Sequence, residues 1–285
     1  MPMGEIYIII YKKVLQRLLG KINCIFYGGL LMGIYNWISS ILIVNFLLCI
    51  SYWYFILSFS LQTIHEKNFI HRDFHSGNIL IESNQKSNID QYLIGDLGLS
   101  RPANNISSNN NEIYEIYGVI PYIAPEIFRG TAFSKASDVY SMGMIMWELT
   151  TGCKPFDNIE HDINLIYKII DGNRPEITSD TPECFINLMK RCWDINPTKR
   201  PSAKKICETF YIWLNTQEDA KQFNQAEEIR LESIKPKMLG PEFSKKYHPK
   251  AIYTSRQFSF LVSPLMISLN DIEQGILYYF KKINI

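Results

Sequence analysis

From Ile22 to Ile64 this chain of 285 residues contains no Asp, Glu, Lys or Arg. A segment without charge cannot form the solvated face of an ordinary domain surface, and it cannot supply an ionic catalytic group. A second lack is an excess of either sign. Lys and Arg number 29 against 28 Asp and Glu, a net charge of +1, and no basic stripe marks a nucleic-acid surface. The six cysteines, at 24, 49, 153, 184, 192 and 207, form no C-x-x-C pair, so reduced core thiols are expected rather than disulfides or a zinc site. A secretory leader is also missing, because Lys12, Lys13, Arg17 and Lys21 run into the apolar stretch with no cleavage-like end. These absences fit a cytoplasmic protein. Apolar residues make up 47% of the chain, sufficient for one large core or two small ones.

Two structures compete for the uncharged stretch. The window 41–60 has only Asn45, Ser51, Ser58 and Ser60 as small polar members, and about 20 such residues span a bilayer. The upstream basic cluster would stay on the cytoplasmic side, so a single span would carry the rest of the chain across; two short spans turning near Asn36 or Asn45 would return it. Membrane association through 22–60 is the alternative localisation. Residues from about Phe46 onward also suit a helix buried in a protein core, apolar all round, and this is the favoured reading. A segment dissolved in lipid cannot fill that core as well. Residues 22–45 remain a membrane candidate, a loose apolar segment or translated non-coding sequence, and Gly29 and Gly33 form a small-xxx-small pair within them. The expected division is 1–45, 46–213 and 214–285.

The chemistry begins at His71–Leu80, HRDFHSGNIL, which sets a carboxylate and an amide five positions apart ahead of an apolar strand. Asp96-Leu97-Gly98 follows after a gap suited to a hairpin. Ala124-Pro125-Glu126, then Ser137-Asp138-Val139-Tyr140-Ser141, then Asn196-Pro197 with Arg200-Pro201 come next in order. One three-residue match arises easily by chance; an ordered series does not. Over about 61–213 the chain resembles the carboxyl-terminal lobe of a protein kinase. The resemblance implies a mainly α fold with a small β-hairpin at the catalytic loop, without a complete amino-terminal lobe.

It also implies roles. Asp73 would orient the substrate hydroxyl and accept its proton, while Asn78 and Asp96 would hold magnesium on the phosphates of ATP. Leu80 would pack beneath the adenine, and Arg72 would neutralise a phosphate on the activation segment, where Ser107, Ser108, Tyr114 and Tyr117 are candidates. Glu126 would pair with Arg200, and Asp138 would accept backbone N–H groups near His71 and Arg72. His75 stands where serine/threonine kinases carry lysine. It would contact phosphate when protonated, or pack in the loop. Val119 stands where those kinases carry threonine, so the two changes go together. Gly118-Val119-Ile120-Pro121-Tyr122 with Ser100 looks most like the tyrosine-kinase-like group of serine/threonine kinases, a resemblance that implies a protein substrate and allows an activating or partner kinase.

Upstream parts of that family pattern are not recognisable. Gly28-Gly29-Leu30-Leu31-Met32-Gly33 puts leucine at the second glycine of G-x-G-x-x-G, and no lysine follows until Lys67. Three functions are open: a kinase, weak or inactive as this chain; a pseudokinase; or a membrane-tethered interaction protein. Beyond Trp213, residues 215–250 are charged and read as a solvated tail with a helix over 217–234; the last fifteen turn apolar, and Ile276–Phe280 could dock on the lobe or on a partner.

Overall fold

The computed structural model describes residues 46–84, 89–103, 116–216, 219–234 and 247–258. The expectations for 1–45, for Ser107, Ser108 and Tyr114, and for Ile276–Phe280 lie outside the described residues.

Helix α1, Phe46–Glu66, holds neither proline nor glycine to interrupt it. Its buried positions Trp53, Tyr54, Leu57, Leu61 and His65 recur at helical spacing. Ser58 and Ser60 donate their hydroxyls back to the carbonyls of Phe55 and Ile56, so the polar interruptions are satisfied within the helix. The Tyr54 hydroxyl reaches the carbonyl oxygens of Ile145 and Met146 at 3.0 and 2.9 Å, and its ring stacks on Phe210 with centroids 5.3 Å apart. The described part of the 22–60 membrane candidate is thus core-forming, because its side chains already have protein partners. Among the described residues no helix is long and apolar enough to cross a membrane.

After α1 come short antiparallel pairs. Strand β1, Phe69–Ile70, pairs with β4, Arg101–Pro102; β2, Ile79–Asn84, pairs with β3, Ile89–Ile94, in register Ile79 to Ile94. Strand β5, Tyr117–Gly118, pairs with β6, Arg256–Gln257, far along the chain. The rest is mainly helical: α2 Pro125–Phe128, α3 Lys135–Thr151, α4 Ile163–Ile170, α5 Glu183–Cys192, α6 Ala203–Asn215 and α7 Ala220–Ile234. This is the mainly α kinase-lobe architecture expected from the motifs.

Central helix α3 starts at a capping box made by Ser134 and Ser137 and ends at Gly152, φ 69°. Every residue from Ser137 to Thr150 is buried. Gly143 is required by close approach: a Cβ there would lie 2.9 Å from the Cys192 Cβ on α5. Glu126 and Arg200 form a buried two-point ion pair, 2.6 and 2.7 Å, tying the start of α2 to the loop before α6. Burial pushes the Cys192 thiol up to about 12, so it is an inert core thiol.

The solvated-tail reading of 215–250 does not hold for α7. Phe223 and Ala226 are buried, and the Phe223 ring meets Trp213 edge-on at 5.6 Å. Two apolar side chains one turn apart suffice to dock a helix that is otherwise charged. Nor are 247–250 free: the His248 N–H donates to the Asp157 carbonyl at 2.7 Å.

Candidate active site

The loop that begins at His71 is hung from α3 by one carboxylate. Asp138 accepts the His71 and Arg72 N–H groups at 2.9 and 3.0 Å and also meets His65 Nε2 at 2.8 Å. Charged acceptors make the stronger class of hydrogen bond, and this one holds Arg72 in the left-handed region, φ 71°. His71, fully buried, lies 3.1 Å from the Gly95 carbonyl through Nε2, while its Nδ1 accepts the Asp73 N–H at 3.4 Å. One imidazole therefore aligns the loop with the residue before Asp96.

Asp73 and Asn78 come together. The Asn78 amide donates to the Asp73 carbonyl at 2.9 Å and to its carboxylate at 3.4 Å. That commits the nitrogen and leaves Oδ1 without a hydrogen bond among the described residues. Burial raises the Asp73 pKa, but hydrogen bonds from His75 and Ser255 and the nearby imidazoles outweigh it, leaving the carboxyl below its ordinary value. It is an anion at neutral pH. Gly118 stands over it at φ 140°, where a Cβ would fall 3.3 Å from Asp73 Oδ1, so both the backbone angle and the space call for glycine.

His75 is buried in the loop. Its Nδ1 accepts the Gly77 N–H at 3.1 Å, which puts the proton of the neutral ring on Nε2; that atom lies 3.0 Å from Ser255 Oγ and 3.7 Å from Asp73 Oδ1. Arg72 stacks its guanidinium 4.9 Å from the Phe133 ring centre. Burial and the neighbouring Arg101 lower its pKa, with Asp138 opposing, an arrangement that would welcome an anion.

Asp96 and Leu80 lie on the open side. Asp96 takes a left-handed conformation, φ 53°, with its carboxylate 3.4 Å from the Gly98 N–H; it is exposed and makes no hydrogen bond to Asp73 or Asn78 among the described residues. The Gly95 N–H donates to the Asn78 carbonyl at 2.7 Å, so the two backbones are coupled. Leu80 is 55% exposed and Leu97 54%. Asn78 Oδ1 and the Asp96 carboxylate are hard oxygen donors of the kind magnesium takes one or two of, completing its shell with phosphate and water. Among the described residues no group of three His, Cys, Asp or Glu stands ready to hold a metal by itself.

Two features had no motif to announce them. Glu148, fully buried, binds Lys154 Nζ at 2.5 Å, Ser76 Oγ at 2.9 Å and the Tyr122 hydroxyl at 2.5 Å, locking the loop to the end of α3. Burial, reinforced by Glu148, raises the Tyr122 pKa well above its ordinary value, so the phenol is the donor. Ser255 donates its hydroxyl to Asp73 Oδ2 at 2.6 Å from 182 positions away. Neither contact has a local spacing that periodicity could detect.

A family profile described as protein tyrosine and serine/threonine kinase matches residues 51–210. A probable serine/threonine-protein kinase of Dictyostelium discoideum is 36% identical over 149 residues, covering 52% of this chain and 9% of that protein. Stress-activated protein kinase alpha of the same organism is 38% identical over 147 residues, covering 48% of this chain and 22% of its own length. A putative serine/threonine-protein kinase/receptor of Acanthamoeba polyphaga mimivirus is 35% identical over 137 residues, 48% of this chain and 8% of that protein. The chain therefore spans less than a quarter of each of these relatives. With the profile covering more than half of its length, and the hung catalytic loop, the buried Glu126–Arg200 pair and the helical lobe in place, the chain belongs to the protein tyrosine and serine/threonine kinase family.

Proposed function

We propose that this chain carries the acceptor half of a serine/threonine-kinase active site, which directs the γ-phosphoryl group of ATP to a seryl or threonyl hydroxyl of a protein. The observation that carries the reading is the pairing of the Asp73 carboxylate with the Asn78 amide on a loop hung from Asp138. Asp73, ionised and buried, orients the incoming hydroxyl and takes its proton as the oxygen attacks. Asn78 Oδ1 and Asp96 would hold magnesium, which would spread the charge of the phosphates while ATP supplies the phosphoryl group. Leu80 offers an apolar floor to the base. His75, with its proton on Nε2, donates toward the acceptor oxygen and orients it rather than binding phosphate. The serine/threonine assignment follows the similarity to the probable and putative serine/threonine-protein kinases of Dictyostelium discoideum and the mimivirus.

Slow or absent turnover is expected of the chain alone, since Leu80, Leu97 and Asp96 are exposed and nothing among the described residues covers them. That exposure favours a second reading, a pseudokinase that binds partners through the lobe. The test is phosphoryl transfer from labelled MgATP to a seryl/threonyl peptide pool, with Asp73→Asn as control. Label on serine or threonine that the substitution removes supports the first reading. Label that survives Asp73→Asn contradicts it, and no label at millimolar MgATP selects the second.

A further inference from the structure

The segment Tyr247–Phe258 crosses the acceptor side of the loop. Strand β6 extends β5 as an antiparallel partner, with Gly118 facing Arg256 and Tyr117 facing Gln257, and the Phe258 N–H donates to the Ile116 carbonyl at 2.8 Å. Adding a strand to an exposed edge is how extended peptides are commonly held: main-chain bonds give affinity and side-chain pockets give selectivity. Phe258, 2% exposed, fills such a pocket, and the Arg256 guanidinium lies 5.1 Å from its ring centre. At the other end the Tyr253 hydroxyl donates to the Pro155 carbonyl at 2.9 Å, and His161 N–H donates to the Lys250 carbonyl at 3.2 Å. His161 Nδ1 accepts the Ile252 N–H at 3.1 Å, and Arg256 donates to the His161 carbonyl at 2.7 Å.

Between these anchors sits Ser255. Its hydroxyl donates to Asp73 Oδ2 at 2.6 Å and lies 3.0 Å from His75 Nε2, the two side chains argued above to orient and deprotonate an incoming alcohol. A strap that only packed against the lobe would have no need to aim a hydroxyl at a buried carboxylate. We propose that Tyr247–Phe258 is an internal pseudosubstrate: Ser255 occupies the acceptor position of the chain's own lobe, and the groove takes an extended seryl peptide with an aromatic residue three places after the acceptor. The inference rests on the reading of Asp73 as the acceptor-side base. It adds the class of peptide and the fact that the chain holds one in cis.

The experiment reads binding rather than transfer, so its failure leaves the Asp73 role standing. Full-length chain is followed by hydrogen–deuterium exchange of the Phe258 amide, and a fluorescein-labelled peptide of residues 247–258 is titrated into it. Ser255→Ala speeds exchange of that amide about tenfold, the effect of losing a hydrogen bond to a charged acceptor. Ser255→Thr retains protection, and Thr254→Ala, which alters the exposed neighbouring hydroxyl, changes nothing. The labelled peptide binds full-length Arg256→Pro, which disturbs β6, at least tenfold tighter than wild type, and its Ser255→Ala counterpart binds that variant several-fold more weakly. Equal exchange in the Ser255→Ala and Thr254→Ala chains overturns the proposal, as does equal peptide affinity for wild type and Arg256→Pro. If Arg256→Pro fails to fold, the exchange arm decides alone, because it needs only the wild type and conservative hydroxyl substitutions.

Discussion

The two sides of the catalytic loop are built differently. On the acceptor side, Asp73, His75 and Phe258 are buried and Ser76, Tyr122, Glu148 and Lys154 form a connected polar network. On the proposed nucleotide side, Leu80, Leu97 and Asp96 are exposed, and among the described residues the Asp96 carboxylate meets only the Gly98 N–H, at 3.4 Å. On the proposed reading, the difference teaches that the acceptor half is shaped by the lobe's own folding, whereas nothing among the described residues covers the nucleotide half. Substitutions on the first side should therefore act on stability. Those on the second should act on ligand binding alone.

The largest expected effect is at the base of the acceptor side. Arg200→Ala leaves Glu126 charged and buried, and losing one member of such a pair costs about 3–5 kcal/mol; urea unfolding should show a clear fall in midpoint. Gly143→Ala comes next, because the new methyl meets the Cys192 Cβ at 2.9 Å with no flexible group to yield, and overpacking costs about 1–3 kcal/mol. A loss of that size in thermal unfolding, with the peptide groove unchanged, separates core packing from site geometry.

Much of this division was readable from residue types, and some was not. The HRDFHSGN run pointed to Asp73 and Asn78 through its resemblance to a protein-kinase catalytic loop, and Asp138 and Arg200 were named for bonds that the structure contains. The uncharged run was ambiguous for a physical reason: lipid and a protein core both select apolar side chains, and only packing partners such as Ile145 and Phe210 distinguish them. The contact of His75 with Ser255, at 3.0 Å, joins residues 180 positions apart and leaves no local signal. The strap itself was invisible, since a two-residue strand among polar residues has no period, and its partner lies well over a hundred positions upstream.

A pH scan sharpens the comparison further. Asp157 is buried below the strap; its Oδ1 has no hydrogen-bond partner among the described residues, and desolvation raises its pKa from 3.8 to about 6. The folded state then binds this proton more tightly than the unfolded state, so the carboxyl favours folding below about pH 4, and that contribution is lost as pH rises through about 6. Asp157→Asn should flatten this part of the stability profile between pH 4 and 7 and stabilise the chain at neutral pH, as chemical denaturation at each pH would reveal. The smallest effect belongs to the open side. Leu97→Ser should shift stability by no more than about 0.5 kcal/mol, the usual range for exposed positions. A larger loss in its unfolding midpoint would mean that the nucleotide side is packed after all.

The contrast between a finished acceptor side and an uncovered nucleotide side meets its most direct test in calorimetric titration of the full-length chain with MgATP. Binding no tighter than about 1 mM, about −4 kcal/mol at most, and lost in Asp96→Asn, is the result the account predicts. A micromolar Kd would contradict it, because an exposed leucine floor and two oxygen donors without a covering wall cannot supply that affinity.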